Sequence, residues 1–184
     1  MKTKEITRIA LMIALLVIAS QLTIPIGIVP FTLQTFAVNL IALFLKPKEA
    51  FLTTLLYLLG GLIGLPFFAG FHGGFQSVLT PSFGFIIGFL AAASLVSTYL
   101  AKQANPGPRE YLIALVINYL VTNSIGFVYM AFILNSYMGK GLSIGGLLAI
   151  GITPFILAEI LKSALAFILA LRLRPLLKRR NLLD

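Results

Sequence analysis

Six apolar stretches run along the chain, at about 9–24, 31–45, 50–65, 82–101, 111–135 and 147–171, with little charged surface between them. This pattern excludes a soluble globule. A soluble domain is roughly a quarter charged, whereas here only 10% of residues are charged and 59% are hydrophobic. A bilayer core about 30 Å thick takes about 20 apolar residues per crossing helix. The stretches therefore predict an all-α, polytopic membrane protein with six transmembrane helices, the first three near or below the lower length limit. No Ser/Gly-rich linker or low-complexity tract divides residues 1–184, which read as one domain. The Gly- and Phe-rich segment from Pro66 to Pro81 is too apolar for an ordinary surface loop. It is expected to fold back into the protein, since bare backbone cannot face lipid.

The formal charge of +9 would suggest nucleic acid in a soluble protein. Here the positions of the charges give a different answer. Lys2, Lys4 and Arg8 precede the first stretch, Lys46 and Lys48 follow the second, Lys102 and Arg109 follow the fourth, and Arg172, Arg174, Lys178, Arg179 and Arg180 follow the sixth. Of 14 basic residues, 12 thus fall on one side and only Lys140 on the other. Positive residues accumulate on the cytoplasmic side, so both termini are expected in the cytoplasm of a multi-pass plasma-membrane protein. The basic start followed by an apolar run resembles a signal peptide, but five further spans and a basic C-terminus favour an uncleaved first helix. No basic face interleaved with stacking aromatics supports a nucleic-acid partner.

Several chemistries are excluded by absence. There is no Cys, and the single His cannot form a multi-His metal cluster. No G-x-x-x-x-G-K-[ST] motif offers a P-loop, and no G-x-S-x-G accompanies the His for Ser–His catalysis. The two halves show no inverted repeat of the kind many secondary transporters carry. One intramembrane acid without an in-span His makes a poor proton relay. An enzyme is not expected.

The remaining basic residue is the most informative. Lys162 lies inside the sixth stretch, three residues after Glu159, so both project from one helix face. Ionisable groups in a span are costly and by default suggest function. The pair reads either as mutual neutralisation that lets the helix insert or as the polar end of a ligand pocket. A carboxylate accepts from N–H groups and an ammonium donates to a carbonyl, which suits a cyclic urea or amide. Pro154, upstream, is placed to loosen the helix start.

In the Pro66–Pro81 segment, Gly70, Gly73 and Gly74 permit positive φ and a backbone cradle for an anion such as a carboxylate. His72, Gln76 and Ser77 add polar groups, and the Phe residues an apolar lid. A plain extracellular turn is the alternative. Thr32, Gln34, Asn39, Asn118, Thr122 and Asn123 read as pocket contacts or as hydrogen-bonding glue between helices. Small residues recur four apart at Ala10/Ala14, Gly60/Gly64, Gly84/Gly88 and Ala166/Ala170, which permits close helix packing. For Ala10 and Ala14, docking of another membrane subunit is a second possibility.

The runs Ile24-Pro-Ile-Gly-Ile-Val-Pro-Phe-Thr-Leu-Gln-Thr35, Gly64-Leu-Pro-Phe-Phe-Ala-Gly-Phe-His-Gly-Gly74, Thr80-Pro-Ser-Phe-Gly-Phe85 and Pro154-Phe-Ile-Leu-Ala-Glu-Ile-Leu-Lys162 together resemble the BioY family. BioY proteins are the biotin-specific substrate-binding subunits (S components) of energy-coupling factor (ECF) transporters. The resemblance spans essentially the whole chain. It implies the six-helix S-component fold, biotin as the transported ligand and no other cofactor. It also implies a transmembrane coupling subunit and two ABC-type ATPases as partners. It assigns Glu159 and Lys162 to the ureido ring, and the Gly-rich loop with the segment after Pro81 to the tail of the ligand. The expected ligand set is Glu159, Lys162, Gln34, His72, Gly73, Gly74, Gln76, Phe85 and Asn118, with Ala10 and Ala14 docking the coupling subunit. The family pattern usually has Asp at the Glu159 position, Gly-Gly-Tyr where Phe83-Gly84-Phe85 stands, and Gly or Asn at His72. No Arg lies near Phe85. These departures leave open a related tailed vitamin such as lipoate. A non-transport membrane scaffold is the reading from a different class.

The charge asymmetry makes a direct prediction, since the chain contains no Cys to interfere. In intact cells a membrane-impermeant maleimide should label Lys140→Cys, and it should reach Lys102→Cys only after permeabilisation. The reverse pattern would invert the topology.

Overall fold

The computed structural model describes residues 3–25 and 27–179. Of the basic residues counted above, Lys2 and Arg180 lie outside the described residues, as do the side chains of Lys178 and Arg179. The elements are α1 (Thr3–Gln21), β1 (Thr23–Ile24), β2 (Phe31–Thr32), α2 (Gln34–Phe44), α3 (Pro47–Leu62), α4 (Phe83–Ala101), α5 (Pro108–Phe132), α6 (Ile144–Gly151) and α7 (Ile156–Arg179). Each apolar stretch is helical over most of its length, and the sixth is divided between α6 and α7.

Local chemistry sets several boundaries. Pro47 and Pro108 open α3 and α5, where the missing N–H costs nothing. The Glu110 carboxylate accepts from the Gly107 N–H at 2.9 Å, closing the first turn of α5. Ser143 caps α6 by accepting from the Gly146 N–H at 3.2 Å. After α5 the chain widens into a π turn at Ile133–Tyr137. The sixth stretch breaks at Thr153–Phe155, a short 3₁₀ turn containing Pro154, so α7 starts afresh with Glu159 in its first turn.

Among the described residues three helical segments are long and apolar enough to cross a bilayer: Phe83–Ala101, Pro108–Tyr137 and Ile144–Leu177. The first half of the chain is built differently. With 11 residues α2 rises about 16 Å, near half the hydrocarbon thickness. It is preceded by the β1–β2 hairpin, which pairs Thr23 with Thr32 and Ile24 with Phe31. This small antiparallel ribbon departs from a purely helical expectation. It is possible because Pro25 and Pro30 prevent helix between them.

The core is drawn from α1, α2, α3, α4, α5 and α7, with Leu16, Ile41, Tyr57, Val96, Ala114 and Ala166 buried. The exterior is apolar too: Leu11, Ile18, Val128, Leu157 and Leu161 are all exposed. An apolar outside around a packed core is the arrangement of a protein solvated by lipid.

The small-residue pairs separate into two uses. Ala166 and Ala170 are fully buried. Gly84 faces Tyr129, and a Cβ on Gly88 would lie 2.8 Å from the Thr122 carbonyl oxygen, so these two glycines let α4 and α5 meet closely. Gly60 lies under Phe67, whereas Gly64, with φ of 107°, turns the chain out of α3. Ala10 and Ala14 are exposed.

A second buried acid emerges here. Glu49, in the first turn of α3, is 3% exposed and pairs with Arg8 of α1 at 2.5 Å. Sequence boundaries put both residues just outside the apolar stretches, which made Glu159 look like the lone interior acid.

Gly88→Val should force α4 from α5. We expect a loss of about 2 kcal/mol from overpacking, read as a lower thermal-unfolding midpoint in detergent. Leu95→Ala, at an exposed position of α4, should leave the midpoint nearly unchanged.

Candidate functional site

α7 begins immediately after the Pro154 turn, and its first two turns carry Glu159 and Lys162. The Lys162 ammonium is 8% exposed. It donates to the Thr32 carbonyl at 3.0 Å, to Thr35 Oγ1 at 2.5 Å and to Glu159 Oε1, with which it forms an ion pair. All three ammonium protons are thereby used. Thr35 in turn donates its hydroxyl to Glu159 Oε1 at 3.0 Å. One threonine at the start of α2 thus accepts from the cation and donates to the anion. The Phe31 ring centroid lies 4.9 Å from the ammonium, adding a cation–π contact. A carboxylate in the first turn of a helix is further favoured by the helix dipole.

These groups line a cavity of about 440 Å³, a size suited to a small organic ligand. Its apolar walls include Phe68, Phe83, Phe85, Phe89 and Phe155. Lys162 is the one Lys or Arg and Glu159 the one acid among the described residues lining it. The Pro66–Ser82 loop supplies a second polar set of His72, Gln76, Ser77, Thr80 and Ser82. The segment folds back in part, with Phe71 and Phe75 left exposed. Phe68 is 4% exposed, packed at ring-centroid distances of 5.7 Å from Tyr57 and 6.0 Å from Phe83.

The expected ligand residues divide by location. Glu159, Lys162, Gln34, His72, Gly73, Gln76 and Phe85 all line the cavity. Gln34 is also structural: its Nε2 donates to the Tyr57 hydroxyl at 2.6 Å, and that hydroxyl donates to the Phe67 carbonyl at 2.9 Å. Gly73 lets the loop pass against the Leu65 carbonyl, where any Cβ would collide. Gly74 is not on the wall. Its N–H donates to the Gly61 carbonyl at 2.7 Å, so that amide is unavailable to an anion. Asn118 also lies off the main cavity. Its Nδ2 donates to Asn39 Oδ1, and Asn39 Nδ2 donates to Ser163 Oγ at 3.4 Å, a chain that ties α5 to α2 and α7. In this position the Asn118 amide bonds between helices and lines a small pocket beside Glu159 and Thr122, not the main cavity.

Thr35 was missed as a site residue, although it ends one of the motif runs. A Thr near a helix start reads as ordinary hydrogen bonding, and only tertiary contact shows it bridging both ions. Asn123 and Ser82 also line the cavity.

Residues 1–179 match the BioY family. The chain belongs to the BioY family. It is similar to the biotin transporter BioY2 of Lactococcus lactis, 37% identical over 180 residues, covering 98% of this chain and 95% of that protein. It is 32% identical over 173 residues to the biotin transporter BioY of Thermotoga maritima, covering 94% and 97%. Among solved structures it is similar to the S component for biotin from an ECF-type ABC transporter. The TM-score is 0.76 at 27% identity, with 95% of each chain covered. The BioY family thus joins the six-helix architecture to a polytopic membrane protein with an S-component fold.

The ion pair yields a stability prediction independent of any ligand. Lys162→Met leaves Glu159 half-buried without its cation and should cost about 1–3 kcal/mol. Adding Glu159→Gln should recover part of the loss, because the uncompensated charge is then gone. Thermal unfolding of the two single variants and the double variant measures the coupling; additive effects would show that the pair contributes nothing.

Proposed function

We propose that this chain captures biotin as the substrate-binding subunit of an ATP-driven ECF uptake transporter. The observation that carries the reading is the Glu159–Lys162 pair set at one end of a cavity with aromatic walls. A ureido ring presents a carbonyl oxygen and N–H donors on a compact polar face. The Lys162 ammonium would donate to the carbonyl, giving up one of its present acceptors, and the Glu159 carboxylate would accept from a ring N–H. Thr35 keeps both ions in register during that exchange. The Phe walls take the fused rings and the aliphatic tail, and His72, Gln76 and Ser82 offer polar contacts to the tail carboxylate. The chain binds and releases its ligand without altering it, and ATP hydrolysis belongs to partner chains.

The coupling subunit is assigned to the exposed face of α1. Ala10 and Ala14 sit there among outward-facing Ile6, Leu11 and Ile18, a low-relief surface that another membrane helix can approach closely. Both termini are assigned to the cytoplasm, from the distribution of Lys and Arg.

Calorimetry on the purified chain tests the assignment. Glu159→Ala or Lys162→Ala should weaken biotin binding by at least about 100-fold, since each loses a charge-assisted hydrogen bond and strands its partner. Parent-like affinity in both variants would move the site elsewhere. Ala10→Trp with Ala14→Trp should abolish uptake in the assembled transporter while leaving binding by the isolated chain intact.

A further inference from the structure

No residue of α1 lines the cavity among the described residues, yet the last turn of α1 holds the cavity's loop wall at several points. The Ser20 hydroxyl shares its one proton between the Phe67 carbonyl at 2.5 Å and the Val17 carbonyl at 2.6 Å. Gln21 Nε2 faces the Pro66 carbonyl at 3.0 Å and the Phe68 carbonyl at 3.3 Å, while Gln21 Oε1 accepts from the Phe71 N–H at 2.7 Å. A single amide therefore grips the loop through both its donor and its acceptor. The segment it grips is a closed turn, joined at its base by the Phe68 N–H donating to the His72 carbonyl at 2.9 Å. Both residues at that base line the cavity.

The turn is strained at its tip. Phe71 has φ of 60° and is the one non-glycine residue with positive φ among the described residues. A Phe in that region is a backbone outlier that persists only when its surroundings enforce it. Packing does not enforce it, because Phe71 is 71% exposed. Its backbone N–H is held by Gln21 Oε1, across the turn that the Phe68–His72 bond closes.

We infer that Gln21 is a positioning residue that latches the Phe68–His72 turn against the cavity and so sets the rate of ligand exchange. The inference rests on the biotin reading above for its kinetic consequence, and on geometry alone for the latch. Without the Gln21 amide the strained turn relaxes and its His72 end moves off the wall, while Phe68 stays anchored by the Tyr57 and Phe83 rings. The latch sits at one end of the helix whose exposed small-residue face is assigned to docking, so a displacement of α1 acts on the wall directly.

Gln21→Ala in the full chain, reconstituted in nanodiscs, tests this by stopped-flow biotin binding and by amide hydrogen exchange. Association and dissociation rate constants should both rise about tenfold, with Kd changing less than threefold, because a latch alters opening and not ligand contact. The Phe71 amide should lose about tenfold of its protection. Gln21→Glu keeps an acceptor for the Phe71 N–H and should lose less protection than Gln21→Ala. Rates within twofold of the parent, a rise in dissociation alone, or unchanged Phe71 exchange would each overturn the latch. A chain that binds no biotin at all would instead overturn the proposed ligand, and Phe71 exchange would still decide the latch.

Discussion

The Glu159–Lys162 ion pair is the constraint around which the ligand end of this protein is arranged. An isolated charge in an apolar helix is costly, and pairing at i,i+3 neutralises the two without satisfying their hydrogen bonds. The rest comes from α2: the Thr32 carbonyl and the Thr35 hydroxyl complete the ammonium's shell, and Thr35 also serves the carboxylate. This demand holds the start of α2 against the start of α7. It also explains the local chain geometry on both sides. The β1–β2 hairpin brings the Thr32 carbonyl to the ammonium, and the Pro154 turn lets α7 begin just before its carboxylate.

The rest of the bundle supports that end with two kinds of contact. Close approach through Gly84 and Gly88 joins α4 to α5 without polar groups. Buried amides do the opposite: Asn39 and Asn118 cross-link α2, α5 and α7 in a region where every unmade hydrogen bond is expensive. The loop wall is held by polar side chains of α1 and α3, through Ser20, Gln21 and Tyr57, to backbone carbonyls that would otherwise lack partners. The cavity thus has one side made of helices and one loop side held by hydrogen bonds and by the packed Phe68 ring.

Much of the site was legible in the sequence because charge is so scarce in it. Lys162 and Glu159 stand out in an apolar run, and i,i+3 spacing puts them on one face without any knowledge of the fold. The glycines of the loop pointed to close backbone approach, correct at Gly73. Direction was not legible. Gly74 takes a positive φ and bonds to Gly61, whereas its neighbour passes against Leu65, and nothing local shows that the Asn118 amide meets Asn39. Thr35 and Gln21 are polar residues of common type at helix ends. Their importance depends on what lies across from them, at sequence separations of 124 and 50 residues, where local pattern carries no information.

By itself the sequence determined the solvent, the number of apolar segments, the charge asymmetry and the Glu159–Lys162 pair, though not the buried Glu49–Arg8 pair. Each of these is a property of one helix or of the whole composition, set by the cost of placing polar groups in hydrocarbon. The tertiary structure decided which half-length segments are completed by a hairpin and which polar residues face the cavity and not a neighbouring helix. It also decided that the loop wall hangs from α1. These depend on pairing between distant segments, where a hydrogen bond is worth making only once packing has excluded the alternatives.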